Sequence, residues 1–288
     1  AENVEVKGTS YVGGIIGQIH YAGGNGHHLR GDDLTVIGAG ERIGGIIGHG
    51  TGNYYNEIRN SKIEGTTYNT KYVGGIAGYI NGYETTNIIV ENVEVITKGN
   101  WAGGISGYTN GGIHTSYVVE SRVEGNSRVG GAVGEYLNGK LWITYVNADV
   151  TAITSTAGGM VGYLNNQGTT AIGNAVRVTD TYTAGGTVKA IKNVGGLIGE
   201  IAEELYIEQN FYGNNFTQVD IEGEDQNTVS TLIGNRPDEN TNLENTYIYQ
   251  YSKINGENIN LQNEPFIKET QYLKEEDLKK EETYRQKI

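Results

Sequence analysis

The sequence predicts an all-β fold, a parallel β-solenoid of about eight rungs with a short C-terminal cap. Two repeated patterns carry this prediction. The first is G-G-x-x-G, seen seven times, with a degenerate copy, "VSTLIGN", at 229–235. The second is a short alternating segment before each glycine pair, as in "NVEV" at 3–6 and again at 92–95. Repeats of this kind, spaced 27 to 37 residues apart, indicate an array of small stacked units.

Each unit is predicted to hold about three short strands, because apolar and polar residues alternate with a period of two. Stretches such as "NGYETT" and "NNQGTT" predict the turns between strands, since Gly and Asn accept positive φ at little cost. One strand per face and about three faces per turn fit a solenoid, and eight rungs at ~4.8 Å each would be roughly 38 Å long. A β-propeller is excluded by length, because its blades need ~40–50 residues.

Alternation within the glycine motif predicts which side chains face the core. The set typified by Ile15, Gly17 and Ile19 is predicted to point inward. The residue directly after the motif is predicted to lie in solvent or at a surface; it is Gln18, His49, Tyr79, Tyr108, Glu135, Tyr163 or Glu200. The constant third glycine predicts a place where neighbouring backbone comes too close for a Cβ atom.

The repeat fades after residue 235, which divides the chain into a solenoid at 1–235 and a cap and exit linker at 236–288. Pro237 and Pro265 appear in the second part, and "YLKEEDLKKEETYRQKI" at 272–288 predicts a short charged helix. A terminal segment of different composition is expected, because the end of a solenoid exposes unpaired strand edges.

Composition excludes several classes of function. The 34 acidic and 21 basic residues give a net charge of −13, so neither nucleic acid nor an anionic membrane is expected as a partner. Cysteine is absent, which excludes disulfides and thiolate metal sites. No apolar run approaches the ~18 residues of a membrane span. The chain opens directly in repeat material without a signal peptide, so we expect it to be a piece of a longer protein.

The "VGGLIG"-type core preceded by an N-x-x-V strand resembles the GLUG repeat of bacterial secreted and surface proteins. The resemblance covers residues 1–235. GLUG arrays occur in the N-terminal region of the immunoglobulin A1 protease family of zinc metallopeptidases, and in adhesin-like proteins. The resemblance therefore implies a secreted or cell-surface location and a role in bacterial virulence.

The catalytic signature of that family, H-E-x-x-H, is absent from these 288 residues. The chain itself is therefore predicted to have no catalytic residue, no metal site and no cofactor, while zinc is implied for the parent protein. The resemblance implies a non-catalytic module that positions the substrate or the catalytic domain. The expected partner is an immunoglobulin, another host protein or the parent's own domains. The alternative is an adhesin-type surface module that binds a host glycan or protein.

Three further features of the sequence are interpreted without assigning a function. Residues 27–33, "HHLRGDD", are predicted to form an exposed insertion loop rather than a metal site, because adjacent histidines in a strand point to opposite faces. Carboxylates are scattered over turns and strand exteriors, so a polysaccharide-cleaving enzyme is disfavoured. The asparagines at 3, 60, 92 and 147 predict a hydrogen-bonded ladder along the stack.

Aromatic residues are the candidate binding residues. Tyrosine occurs 21 times against three phenylalanines, a ratio typical of wet surfaces rather than of cores. Tyr79, Tyr108 and Tyr163 share one repeat position, and Tyr11, Tyr72 and Trp101 share another. In-register rungs would bring Tyr79 and Tyr108 within stacking distance. The predicted binding residues are Tyr79, Tyr108, Tyr163 and Trp101, with a self-stabilising aromatic ladder as the other interpretation.

Overall fold

A computed structural model gives the architecture. It describes residues 1–20, 27–50, 54–82, 84–165, 177–202, 211–212, 215–235, 246–249, 252–259 and 270–273. Within these ranges there are twenty-eight strands, in chain order: β1 Glu2–Gly8, β2 Val12–Gly13, β3 Ile16–Ile19, β4 His27–Gly38, β5 Glu41–Gly44, β6 Ile47–Gly50, β7 Tyr54–Gly65, β8 Lys71–Gly74, β9 Ala77–Asn81, β10 Thr85–Thr86, β11 Ile89–Thr97, β12 Asn100–Gly103, β13 Ser106–Asn110, β14 Ile113–Gly130, β15 Val133–Asn138, β16 Lys140–Gly158, β17 Val161–Leu164, β18 Arg177–Ala190, β19 Val194–Gly195, β20 Ile198–Ile201, β21 Phe211–Tyr212, β22 Asn215–Gly223, β23 Val229–Ser230, β24 Ile233–Asn235, β25 Thr246–Tyr249, β26 Lys253–Ile254, β27 Glu257–Asn258 and β28 Thr270–Leu273.

The strands form a parallel β-solenoid, which confirms the predicted fold class. Eight strands make one sheet, in the spatial order β24, β20, β17, β15, β13, β9, β6 and β3, and the other twenty form a second sheet. The solenoid has about seven turns, so the predicted eight rungs are slightly too many. One short 3₁₀ helix, Gln226–Thr228, is the only helix in the described ranges.

The core is a stack of aliphatic residues in register. The last residue of each N-x-x-V segment pairs with its counterpart in the next rung, and the row continues to the end of the sheet. Its members are Val6, Val36, Ile63, Val95, Val123, Val150, Val188, Ile221 and Ile254. From Val36 to Ile221 these side chains are at most 1% exposed. Because each buried aliphatic residue packs on the equivalent residue of the next rung, the same inward position is apolar in every rung.

Single residues in the left-handed region form the corners of each rung, so some strands run through corners without a break. Strand β14 contains three such residues, Thr115, Glu120 and Arg128. One corner uses Asn3, Asp33, Asn60, Asn92 and Glu120. Short polar side chains suit this conformation, because they tolerate positive φ better than most residues do.

The predicted loop at 27–33 is wrong. Residues 27–38 form strand β4, which pairs in parallel with β7 from Tyr54 onward. Gly31 is buried, and a Cβ atom there would lie 2.5 Å from Leu34 Cδ1. Leu34 and Val36, later in the same strand, are buried in the core. Their burial holds the strand in the sheet although residues 27–33 are mostly polar.

The predicted asparagine ladder exists in part. Asn92 Nδ2 donates to Asn60 Oδ1 at 2.8 Å, and Asn60 Nδ2 donates to Asp32 Oδ1 at 2.9 Å. Asn3 and Asn147 make no such bond within the described residues. In β16 the pairing register with β18 shifts between Val146 and Val150, which takes Asn147 out of line with the row.

The parallel sheet continues beyond residue 235, since β25 pairs with β22 and β28 pairs with β25. The division of the chain at 235 stays a prediction. Residues 272 and 273 belong to β28, and the rest of the predicted charged helix lies outside the described residues. No helix among the residues described here is long and apolar enough to cross a membrane.

Candidate functional site: an aromatic and arginine stripe

Two repeat positions line one ridge of the solenoid, which we call the stripe. The first position lies two residues before the glycine pair: Tyr11, Arg42, Tyr72, Trp101, Arg128, Thr156 and Asn193. The second directly follows the motif, and its members pair in register along the eight-stranded sheet: Gln18, His49, Tyr79, Tyr108, Glu135, Tyr163, Glu200 and Asn235.

The third glycine of each motif brings the two positions together. A Cβ atom on Gly78 would lie 2.4 Å from the carbonyl carbon of Arg42, and one on Gly107 would lie 2.4 Å from that of Tyr72. Backbone of one rung therefore rests directly on the first-position residue of the rung before it. This confirms the predicted close approach, and it places each second-position side chain beside first-position side chains.

The middle of the stripe is aromatic. Tyr79 and Tyr108 stack with ring centroids 4.5 Å apart and an interplanar angle of 14°, as the in-register prediction required. Tyr72 lies between them and Trp101, with centroid distances of 5.2 Å to Trp101 and 5.3 Å to Tyr108. These separations are within the favourable range for aromatic pairs. Burial raises the pKa of Tyr108 and of Tyr72, so both phenols stay neutral at physiological pH.

Arginines flank this aromatic segment on both sides. The guanidinium of Arg42 lies 4.9 Å from the Tyr11 ring centroid and 4.7 Å from that of Tyr79. The guanidinium of Arg128 lies 5.5 Å from the Trp101 centroid and 3.9 Å from that of Tyr163. Each arginine is thus held between two aromatic rings by cation–π attraction.

The C-terminal part of the stripe is a closed polar network. Glu200 accepts hydrogen bonds from Thr156 Oγ1 at 2.9 Å, Asn193 Nδ2 at 2.8 Å and Asn235 Nδ2 at 3.4 Å. A carboxylate with three donors has its charge satisfied within the protein. This end of the stripe is therefore suited to holding rungs together.

All four predicted binding residues lie in the stripe. Tyr79 and Tyr108 stack on each other, Trp101 donates from Nε1 to Glu135, and Tyr163 lies against Arg128. Each is half-buried rather than fully exposed, because its neighbours in the stripe cover part of it. His49 and Glu135 are more buried than predicted, at 7% and 6% exposed. The binding role of the four residues stays a prediction.

The sequence pattern contains a signal for the two arginines, which were not among the predicted binding residues. Arg42 and Arg128 occupy the same repeat position as Tyr11, Tyr72 and Trp101, so they had to share a surface with these rings. A second aromatic surface was also missed. Tyr117, Tyr145 and Tyr182 are in register, Tyr145 and Tyr182 stack at 5.4 Å, and Trp142 is 37% exposed beside Lys140.

Among the described residues, no group of three or more His, Asp or Glu side chains could hold a metal ion. A shallow open groove of about 390 Å³ lies elsewhere, at the asparagine corner. Its lining is polar and includes Asn92, Glu94, Glu120, Arg122 and Asp149. Asp149 accepts a backbone hydrogen bond from Thr187 at 2.9 Å. The groove lacks the aromatic walls of the stripe.

No protein-family model matches the sequence, and no protein with a curated description matches it. Membership in the GLUG family stays a prediction. Among solved structures, the chain is similar to the crystal structure at 1.30 Å resolution of a "putative immunoglobulin A1 protease" from Bacteroides ovatus. The identity is 19% and the TM-score 0.49, over 80% of this chain and 61% of that chain. This chain thus matches less than two thirds of that protein's length, and the likeness is one of fold.

Proposed function

We propose that this chain is a non-catalytic binding module of an exported bacterial zinc metallopeptidase. In this role the stripe holds a protein substrate in position for a catalytic domain elsewhere in the parent. The observation that carries the proposal is the continuity of the stripe, in which aromatic and arginine side chains follow one another from Tyr11 to Tyr163. The resemblance of the repeats to GLUG arrays supports the class of the parent.

The stripe has the properties of a preformed binding surface. Half-buried tyrosine and tryptophan present both apolar rings and polar edges, the combination enriched at protein interfaces. Their rings are already fixed by stacking and by the two arginines, so a partner has little side-chain freedom to remove on binding. The zinc and the catalytic base belong to other parts of the parent in this proposal, since no H-E-x-x-H occurs in the sequence.

The test uses the full-length parent protein and immunoglobulin A1 as substrate. We expect the double variant Tyr79→Ala with Tyr108→Ala to raise KM at least fivefold with kcat unchanged, because binding outside the catalytic domain is lost. Hydrolysis of a short peptide that reaches only the catalytic domain should not change. Tyr68→Ala is the matched control, because Tyr68 is 79% exposed and lies outside the stripe.

An unchanged KM for immunoglobulin A1 would contradict the proposal, as would an equal effect of Tyr68→Ala. A parent without peptidase activity whose stripe variants lose adhesion to host cells would instead assign the chain to the adhesin type.

A further inference from the structure

The stripe contains the same four-residue unit twice. Each unit has an arginine at the first position and the second-position residue of the same rung. An aromatic ring from the rung before and one from the rung after complete it. The first unit is Tyr11, Arg42, His49 and Tyr79, and the second is Trp101, Arg128, Glu135 and Tyr163. The two differ in chemistry chiefly at one place, where His49 stands in the first and Glu135 in the second.

In the second unit the arginine is neutralised within the protein. Arg128 Nη1 donates to Glu135 Oε2 at 2.5 Å, and Trp101 Nε1 donates to the same oxygen. Asn165 Nδ2 donates to Glu135 Oε1 at 3.0 Å. The buried carboxylate thus has three donors, and this unit is complete without a ligand.

In the first unit the arginine has no such partner. Arg42 Nη1 donates to His49 Nδ1 at 3.0 Å, and Arg42 forms no ion pair with any carboxylate in the described part of the chain. The segments after β3 and β6, residues 21–26 and 51–53, contain neither Asp nor Glu. Glu84, which follows β9, lies 3.5 Å from His114 Nε2. Among the described residues, this half-buried cation therefore has no carboxylate as a counter-charge, in a protein of net charge −13.

Two donors of the first unit are also unsatisfied. Because His49 Nδ1 accepts from Arg42, the proton of the neutral ring is on Nε2. His49 Nε2 and Arg42 Nε are both buried and have no hydrogen-bond partner within the described residues. Unpaired buried donors beside an unpaired cation favour an acceptor that carries negative charge.

We propose that the unit of Tyr11, Arg42, His49 and Tyr79 binds the carboxylate of an acidic sugar residue, which supplies the charge that Glu135 supplies to Arg128. The inference rests on the proposed function, because it names the ligand class of one part of the same stripe: a substrate that carries acidic glycans. Within the unit Tyr11 is 38% exposed, and the exposed His20 borders it, so a ligand reaches the unit by rotation of surface side chains.

A sugar fits this unit better than an acidic peptide does. Strands β5, β6 and β9, which carry Arg42, His49 and Tyr79, are paired on both sides, so a peptide cannot add to them as a further strand. The exposed part of the Tyr11 ring offers an apolar surface to the C–H face of a pyranose ring, whereas Tyr79 is already covered by Tyr108 and Arg42. One unpaired cation suits one isolated carboxylate rather than a run of them.

The test measures binding of trigalacturonate to the chain 1–288 by calorimetry. A trimer of galactose serves as the neutral probe and triglutamate as the peptide probe. We expect the acidic trisaccharide to bind at least tenfold more tightly than either. Arg42→Gln and His49→Glu should each weaken this binding at least tenfold. In the His49→Glu variant the new carboxylate should pair with Arg42, as Glu135 pairs with Arg128 in the other copy, so this variant should fold.

Lys71→Gln is the charge-matched control, because Lys71 lies on the neighbouring strand and is exposed. Its affinity for trigalacturonate should stay within twofold of the wild-type value. A second readout is the NMR titration of His49. Its pKa is lowered to about 4 by burial, then by the charges of Arg42 and His20. A carboxylate bound at Arg42 offsets that charge, so trigalacturonate should raise the pKa of His49 and the galactose trimer should not.

The proposal is overturned by equal binding of the acidic and neutral trisaccharides, or by no binding of either at millimolar concentration. Affinity that survives both Arg42→Gln and His49→Glu would also overturn it. Tighter binding of triglutamate would assign the unit to acidic peptides instead. The hydrolysis test of the parent measures KM for a protein substrate and requires no sugar binding at Arg42, so the proposed function can hold when this inference fails.

Discussion

Space, not backbone conformation, explains the glycines of the repeated motif. Positive φ among the described glycines occurs only outside the motif, at Gly82, Gly139, Gly185, Gly186 and Gly256. The third motif glycine instead lies against backbone of the neighbouring rung, which cannot move aside as a side chain can. Beside the motif, the left-handed conformation is adopted by the non-glycine residues at the first stripe position, including Arg42 and Trp101.

Gly107→Ala should therefore be strongly destabilising. Its Cβ would lie 2.4 Å from both Tyr72 C and Val73 N, so two rungs would have to separate. We expect a loss of about 3 kcal/mol or more in the free energy of unfolding, measured by urea denaturation. Gly112→Ala is the control, because the atom closest to its Cβ would be Cγ of the flexible Glu84 side chain, at 2.8 Å. Equal stability of the two variants would refute the packing explanation.

His49 should make stability depend on pH. Its pKa is lowered to about 4 in the folded protein, against ~6.5 in an unfolded chain, so the unfolded state binds the proton first. Stability should fall as the pH drops from about 6.5 to 4, by about 2 kcal/mol at pH 5. His49→Gln, which introduces the residue found at the equivalent Gln18, removes this contribution.

The measurement is the wild-type minus variant difference in unfolding free energy from pH 7 to pH 4, since the many carboxylates titrate in both proteins. A difference that does not change over this range would show that His49 is as basic in the folded chain as in the unfolded one.

Stacking between rungs gives the strands at the stripe a stability that their composition does not predict. Strands β9 and β13 are each five residues long, and each contains a motif glycine. Each is paired on both sides in register, and their tyrosines stack across the rungs. Strand pairing and ring contacts thus offset the weak local preference of glycine-rich segments.

Tyr108→Ala should cost about 2–3 kcal/mol of unfolding free energy, because it removes a half-buried ring and its contacts with Tyr79 and Tyr72. Tyr117→Ala should cost less than about 1 kcal/mol, since Tyr117 is 44% exposed and forms no ring pair among the described residues. Thermal unfolding of both variants distinguishes them. Unchanged melting of the Tyr108 variant together with lost partner binding would show that this tyrosine serves only as a contact residue.

At the scale of the whole molecule, repetition produces a surface that no single repeat contains. Eight strands stacked at ~4.8 Å give the stripe a length of about 34 Å, long enough for an extended ligand. Its character changes along this length, from aromatic and cationic at Arg42 to a satisfied polar network at Glu200. The proposed binding surface therefore runs from Tyr11 to Tyr163, and the proposed sugar site lies near its N-terminal end, where Arg42 faces an imidazole rather than a carboxylate.

Much of the fold and part of the site were predictable from the sequence. The motif spacing predicted the stacking of Tyr79 on Tyr108, because in-register rungs place equal repeat positions side by side. The strand at 27–38 was predictable only in its second part, where the repeated segment 33–36 contains the inward-facing Leu34 and Val36. Residues 27–32 show no such alternation. The pairing of Arg42 with His49 was also hidden, because the two positions meet only across a turn of backbone.

The sequence by itself determined the parallel solenoid, because its register follows from repeated apolar positions that must stack on one another. It also determined that the third glycine is a packing position. Only the tertiary structure decided which charges are compensated. Arg42 and Arg128 are equivalent in the repeat, yet one faces an imidazole and the other a carboxylate. Whether an arginine charge is compensated depends on distances of about 3 Å between atoms of different strands. Such distances are set only when the rungs have folded and stacked.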